Sequence, residues 1–279
     1  MFRRLKQASA AVSMLNPREV RILAAQTVSI GLVASGESAY AEMEEFLRAR
    51  DAGQVHRAGE PNPPETVDLI LYEEGMAPGK GIHTFHRGAL ERTVAEILDA
   101  HEDLALPLAR QFPPFRKAVV ESTIHAVSRE NALFAIATAL PNVVPNLIEL
   151  PWLFGEFASD TVFLTANQIR MAFVIAAACG REAGFGQQRA EIVSMAAGAF
   201  GWRALARELA GKIPLGEGLI PKGAIAYAGT YVIGKGLEYL YHANVPYTDE
   251  QRVTTYRRAL ERGKSIAASL RLKGSATGG

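Results

Sequence analysis

The stretch TVSIGLVASGESAYAEMEEFL, residues 27–47, predicts a β-strand, a short turn and an α-helix in that order. Its first part is rich in β-branched and aliphatic residues, and its second part is typical of a helix. Gly31 and Gly36 have the spacing of a phosphate-binding loop, G-x-x-x-x-G-K-[ST], and Ser38 stands where that motif places its magnesium ligand. Glu37 occupies the lysine position, and its carboxylate would repel a phosphate.

Two interpretations of this loop are open. A nucleotide site needs backbone N–H groups facing the phosphates, a lysine and an acid at the end of a second strand that binds magnesium. The second β-rich stretch, TVDLILY (66–72), ends on Tyr72, with Glu73 and Glu74 after it, and no N-K-x-D motif for guanine follows. The alternative is a plain strand–turn–helix corner, whose acidic first helical turn interacts favourably with the helix dipole. We expect this alternative, with no cofactor, no catalytic residues and no GTP hydrolysis.

Composition changes along the chain and predicts its fold class. Strand-like runs give way after about residue 107 to a succession of helix-like stretches punctuated by proline and glycine. We therefore predict a mainly α protein, with an all-helical C-terminal domain (108–279) preceded by a small, incomplete α/β segment (21–107) and an amphipathic basic helix (1–20). TVSIGLVA and TVDLILY are predicted to pair in a small sheet, and residues 48–65 between them to form a polar, turn-rich loop.

Charge and cysteine content limit the class of protein. The formal net charge is only +1, but both ends of the chain are basic and acidic residues cluster between Glu37 and Asp103. The single cysteine, Cys179, lies in the apolar run FVIAAACG, which excludes a disulfide framework and favours the cytoplasm. The N-terminal stretch lacks the central apolar run of a secretory signal. No basic stripe interleaved with aromatic residues indicates nucleic acid.

Two groups of polar residues are further candidate sites. His83 and His86 in HTFH are spaced like a helical metal pair, but no third ligand is evident nearby, so we interpret them as chance surface residues without a metal. Asn131, Asn167 and Gln168 lie in apolar helical stretches and either line a polar site or bond to one another. Buried amides usually find partners among themselves or in the backbone, so we expect a core network.

One long apolar stretch raises the question of membrane contact. Residues 132–157 are long enough to span a bilayer, but Pro141, Pro145 and Pro151 interrupt them. A re-entrant or interfacial hairpin is one interpretation, and a buried helix–loop–helix, which we favour, is the other. The basic N-terminal helix is a second candidate for lipid contact, where each cation would contribute about 1 kcal/mol at an anionic surface.

Four separated stretches of the helical part carry a family resemblance: FPPFRKAVVESTIHAVSRENALFAIATALPNVVP, DTVFLTANQIRMAFVIAAACGRE, GWRALARELAGKIP and IPKGAIAYAGTYVIGKGLEYLY. Together, over about residues 108–245, they resemble the helical domain of unknown function that follows the GTPase domain in some bacterial Era-like GTPases. That domain also occurs in YcjF-type inner-membrane proteins. The resemblance implies membrane association or partner binding and supplies no catalytic residues. It also makes GLVASGES resemble a degenerate GTPase phosphate loop.

These observations favour a non-catalytic helical scaffold or interaction module that carries a pseudo-GTPase remnant. Its expected partners are a second copy of itself, giving a homo-oligomer, another protein, or the anionic cytoplasmic face of a membrane. The rival hypothesis is a divergent nucleotide-binding, GTPase-like protein. Nucleotide binding and self-association are therefore the two properties on which the hypotheses differ.

Overall fold

The structure is a computed structural model of the chain, and it describes residues 16–59, 66–76, 83–139, 160–195, 219–245 and 247–276. The chain forms two compact units. The first contains Glu19–Glu121 and Ala177–Glu182, so it extends beyond the limit predicted at residue 107. The second contains residues 16–18 and the described residues of 122–176 and of 183–276.

The secondary structure is mainly helical, as the sequence predicts. In chain order its elements are α1 (Pro17–Ala24), β1 (Ile30–Val33), α2 (Glu37–Leu47), β2 (Val55–Arg57), β3 (Leu69–Glu73), β4 (His83–Phe85), α3 (Leu90–Ala100), α4 (Ala105–Gln111), α5 (Pro113–Ala139), α6 (Asp160–Ala178), α7 (Leu219–Ala243) and α8 (Asp249–Ala276). Two short 3-10 turns, Ala52–Gln54 and Glu102–Leu104, and a helical stretch at 189–195 accompany them.

Three predictions fall wholly or partly outside the described residues. Residues 1–15 of the predicted N-terminal helix are among these, as is most of the proline-broken stretch 132–157. The stretch GWRALARELAGKIP, which carries part of the family resemblance, is the third. Among the described helices, none combines the length and the apolar composition needed to cross a membrane.

The first unit contains a four-stranded parallel sheet in the order β2-β1-β3-β4. The predicted pairing of β1 with β3 is confirmed, with Ile30 opposite Leu69 and Leu32 opposite Leu71. The edge strands β2 and β4 were not predicted. Each has only three residues, VHR and HTF, which is too short for an alternating pattern to be recognised. As predicted, all strands in the described part of the chain precede residue 108.

One face of the sheet is buried by helices of the first unit. Ile30, Leu32 and Leu71 are fully buried, whereas Ile70, which points to the other face, is 39% exposed. Helix α2 packs against β1 through a stripe at helical spacing, and α3 packs against β4. That stripe consists of Ala39, Met43 and Leu47. These contacts fix the turn between β1 and α2, which contains the candidate phosphate loop.

The second unit is built around a hairpin of α7 and α8. Thr248 begins α8 with a capping box: its hydroxyl accepts the N–H of Gln251 at 3.2 Å, and the Gln251 side chain accepts the N–H of Thr248 at 2.9 Å. Small residues at the interface allow the two helices to approach closely, and the large buried side chains Tyr227 and Tyr256 fill the core beside them. Gly263 is the tightest point, because a Cβ there would lie 2.9 Å from the Cα of Ala224.

Candidate functional site

The strand order places the loop after β1 where open α/β sheets commonly bind ligands. Strand β1 has β2 on one side and β3 on the other, so the direction in which successive strands are added to the sheet changes at β1. Ligands of such sheets bind outside the carboxyl ends of the strands at this switch point. Here the switch point lies between the turn Ala34–Gly36 and the end of β3 at Glu73. The candidate site is therefore this carboxyl edge.

The four residues compared above with the phosphate-loop motif do not form a loop around a common anion position. Gly31 lies inside β1, paired with His56 on one side and Ile70 on the other. Gly36 precedes α2 with an extended backbone (φ −176°), and Glu37 and Ser38 are the first residues of that helix. Because Gly31 is paired within β1, only the short turn Ala34–Gly36 joins the strand to the helix. This geometry is that of a strand–turn–helix corner.

The carboxylate of Glu73 bonds to the turn. One of its oxygens accepts the backbone N–H of Ser35 at 2.7 Å and the Ser35 hydroxyl at 2.6 Å. These two hydrogen bonds hold the pKa of Glu73 below its usual range, and Arg87 acts in the same direction. A protein carboxylate therefore takes the N–H and hydroxyl donors of Ser35, so these two donors are not available to a phosphate at this turn. Sequence reasoning missed this pair because the two residues are far apart in the chain.

Two arginines neutralise the other carboxylates around the turn. Arg57, on β2, donates to Glu37 at 2.8 Å and to Glu44 at 2.6 Å, and its guanidinium lies 5.2 Å from the centre of the Tyr40 ring. Hydrogen bonds to Glu44 and Glu37 raise the pKa of Arg57. The carboxylate of Glu37 is thus held towards β2 and does not stand as an isolated negative charge at the mouth of the turn.

Arg87 makes the equivalent link on the other side of the turn. It follows β4 and forms an ion pair with Glu42 of α2, with 2.7 Å between Nε and the carboxylate oxygen, and its guanidinium lies 3.7 Å from Glu73. The ion pair between Arg87 and Glu42 ties the end of β4 to α2. At the carboxyl edge, each of four carboxylates is therefore paired with an arginine that lies on or just after a neighbouring strand. These carboxylates are Glu37, Glu42, Glu44 and Glu73.

The interpretation of His83 and His86 as chance surface residues is wrong. Both are only 8% exposed. The Nε2 atoms of His83 and His101 lie 2.9 Å apart, and burial, with His101 as a second cause, lowers the pKa of His83. His86 contacts Glu96 at 2.9 Å. These contacts join β4 and the residue after it to α3 and its C-terminal end. In the residues that the structure describes, no three metal-ligating side chains come together.

The predicted amide network in the helical core is confirmed. Asn167 donates to Asn131 at 2.9 Å, and Asn131 donates to the hydroxyl of Thr230 at 2.8 Å. Gln168 also donates to Thr230, at 3.2 Å. Thr230 is the member that sequence reasoning missed, although it is a lone polar residue in the apolar run of α7. These amides bond to one another and to Thr230.

A cleft of about 700 Å³ lies in the first unit, beside α2, α3 and the first turns of α5. Its floor is mainly apolar and its rim is charged. The lining includes Phe46, Phe85, Leu90, Val94, Pro113 and Ala118, with Glu42, Glu45, Arg48, Arg87, Glu91, Lys117 and Glu121 among the charged residues. A concave surface of this kind suits a binding role better than an exposed helix face does.

No family model, curated protein or solved structure matches this chain. The likeness of the helical stretches to the domain that follows Era-like GTPase domains therefore stays an expectation from the sequence.

Proposed function

We propose that the protein is a non-catalytic interaction module whose α/β unit does not use nucleotide. The hydrogen bonds from Ser35 to Glu73 carry this proposal, because they place a carboxylate at the turn where a phosphate loop would hold its anion. A nucleotide would have to displace that carboxylate and leave it beside the phosphates. The absence of a loop lysine and the in-strand position of Gly31 act in the same direction.

Thermal unfolding with millimolar nucleotide and magnesium tests the first half of the proposal. A ligand at 100 times its Kd stabilises a fold by about 2.7 kcal/mol, which for a chain of this size raises Tm by roughly 5 °C or more. We expect Mg-GTP and Mg-ATP to give no shift beyond that of matched inorganic tripolyphosphate. A saturable, nucleotide-specific shift that Ser38→Ala abolishes would instead establish the divergent nucleotide-binding protein.

Glu37→Lys provides a second variant for the same measurement. The substitution restores the lysine of the phosphate-loop motif, but it also removes one of the two glutamate partners of Arg57 and brings two cations together. Glu73 would still occupy the donors of Ser35. We therefore expect neither nucleotide binding nor hydrolysis from Glu37→Lys alone.

The interaction role is supported by surfaces in both units. The cleft beside α2 and α3 provides an apolar floor in the first unit. Large apolar side chains of the second unit are partly exposed, namely Val162, Phe185, Val193, Tyr239, Val245 and Val253. Single exposed apolar residues are common on protein surfaces, so these support the proposal only together with the resemblance of the helical stretches.

Cell fractionation separates the expected partners. We expect the protein either to be released from membranes by high salt, as an electrostatically bound protein would be, or to be soluble with a mass above the 30.1 kDa of one chain. Light scattering after size-exclusion chromatography gives that mass. Alkaline carbonate, applied after salt, identifies inserted protein. A soluble protein that stays monomeric and captures no other chain at cellular concentration contradicts the interaction role.

A further inference from the structure

We propose that Arg50, Arg110 and Arg116 form a binding site for a phosphate group at the turn that follows α6. All three belong to the first unit, as do the turn residues 177–182. The site is distinct from the carboxyl edge of the sheet and does not depend on the function proposed above.

The three guanidinium groups meet at one turn of the backbone. Arg110 donates to the carbonyl oxygens of Ala177 at 3.5 Å and Arg181 at 3.0 Å. The guanidinium of Arg50 lies directly over Gly180, which has a positive φ of 78°, and any side chain at that glycine would collide with it. Arg116 is held next to Arg110, because its Nε donates to the carbonyl oxygen of Ala109 at 3.2 Å, and the charge of Arg50 acts on it.

Most of the donors of this cluster bond to no residue in the described part of the chain. A guanidinium has five N–H donors. Arg116 uses one of them, from Nε to the carbonyl of Ala109 at 3.2 Å. In the described part of the chain, the Arg50 side chain makes no hydrogen bond, and none of the three arginines has a carboxylate within ion-pair distance. The cluster thus differs from Arg57 and Arg87, each of which is paired with two glutamates.

Grouping three cations in this way has an energetic cost that a bound anion would offset. Arg110 and Arg116 are half-buried, and burial, followed by the charge of Arg50, holds the pKa of Arg116 below its usual range. The carbonyls at the end of α6 carry partial negative charge and relieve part of this repulsion. A tetrahedral oxyanion would relieve more, because planar guanidinium groups bind phosphate oxygens in pairs.

The roles of the three arginines differ. Arg110 is occupied by two backbone carbonyls and therefore positions the turn. Arg50 and Arg116 have the free donors that would contact the phosphate. The ligand is thus a molecule with an exposed phosphate, either a small phosphorylated metabolite or the headgroup of an anionic phospholipid.

Cys179 gives a direct readout, since it is the only cysteine in the chain and adjoins Gly180, over which the guanidinium of Arg50 lies. The rate at which a neutral maleimide modifies this thiol is measured while inorganic phosphate replaces chloride at constant ionic strength. We expect a saturable slowing, because bound phosphate covers the thiol. No slowing, or an equal effect of chloride, would overturn the proposal.

Substitutions separate binding from folding. Arg50→Gln and Arg116→Gln are each expected to weaken phosphate binding at least tenfold, while Arg258→Gln, which removes an exposed arginine from α8, leaves it unchanged. Arg50 is exposed and bonds to no described side chain, so its variant remains folded even if Arg116→Gln does not. Undiminished phosphate binding in Arg50→Gln, with folding verified by circular dichroism, would contradict the assignment.

Vesicle flotation distinguishes the two sources of phosphate. Vesicles of phosphatidylcholine alone are compared with vesicles that also contain phosphatidic acid, whose phosphate is exposed. Binding to the second kind that is lost in Arg50→Gln assigns a lipid headgroup, and phosphate binding without flotation assigns a small metabolite. A thermal shift with nucleotide that Arg116→Gln abolishes and Ser38→Ala leaves unchanged would also arise from this site. The test of this site can therefore be distinguished from the test of the proposed function.

Discussion

Replacing Asn131 with alanine is expected to lower the free energy of unfolding of the helical unit by about 3 kcal/mol. Asn131 is fully buried and joins three helices: it donates to Thr230 of α7 and to the carbonyl of Leu164 of α6, and it accepts from Asn167. Alanine would leave the amide of Asn167 buried without this acceptor, and desolvation of an unpaired buried polar group is costly. The loss should therefore exceed the effect of the small cavity alone.

Urea unfolding followed by circular dichroism provides the measurement. Gln168→Ala is the matched control, because Gln168 is only half-buried and makes one bond to the same threonine, at 3.2 Å. We expect that control to cost about 1 kcal/mol. Replacing Asn131 and Asn167 together with leucine should recover part of the loss, since it removes both members of the bonded pair. An Asn131→Ala variant as stable as the control would mean that the network adds no stability.

Gly263→Leu is expected to destabilise the α7–α8 hairpin by about 3 kcal/mol. A Cβ at position 263 would lie 2.9 Å from the Cα and 3.0 Å from the carbonyl oxygen of Ala224, and 3.1 Å from the Cβ of Tyr227. Two of these atoms belong to the backbone of α7, which cannot rotate away as a side chain can. The helices must separate, and Tyr227, which is 1% exposed, would lose packing contacts on the same face.

Gly229→Ala is the matched control on the same hairpin. A Cβ at Gly229 meets no atom within 4 Å, and glycine in the middle of a helix is less favourable than alanine by about 1 kcal/mol. The control should therefore raise stability by about that amount while Gly263→Leu lowers it. Thermal unfolding of both variants tests the difference in sign. Two glycine substitutions that shift Tm in the same direction would show that close helix approach at Gly263 is unimportant.

The parts of the fold that the sequence predicts are those with long, regular patterns. TVSIGLVA and TVDLILY have enough aliphatic residues to be recognised as paired strands. The helical stretches after residue 107 are separated by proline and glycine residues that indicate where they end. Strands β2 and β4 could not be predicted, because each has only three residues, two of them polar, and so short a stretch forms a strand only where it can pair with a neighbouring strand. The amide network was predictable because polar residues in apolar helices require partners.

The chemistry of the candidate sites depends on contacts that sequence patterns do not reveal. The bond between Ser35 and Glu73 joins the ends of two strands, and only the parallel pairing of β1 with β3 brings them together. The arginine cluster is even more difficult to predict from the sequence. Its turn, residues 177–182, lies more than sixty positions after the last of the three residues, which are Arg50, Arg110 and Arg116. The buried histidines were misjudged because their strand was not recognised.

The parallel pairing of β1 with β3 also bears on the order in which the protein folds. Partners such as Ile30 and Leu69 are distant in the chain, so the sheet must close a long loop before it gains any contacts. The α7–α8 hairpin needs only the short connection after Ala243, and its capping box stabilises the start of the second helix locally. Folding should therefore begin in the helical hairpin near the C-terminus, and the sheet, with Glu73 docked on Ser35, should be completed late.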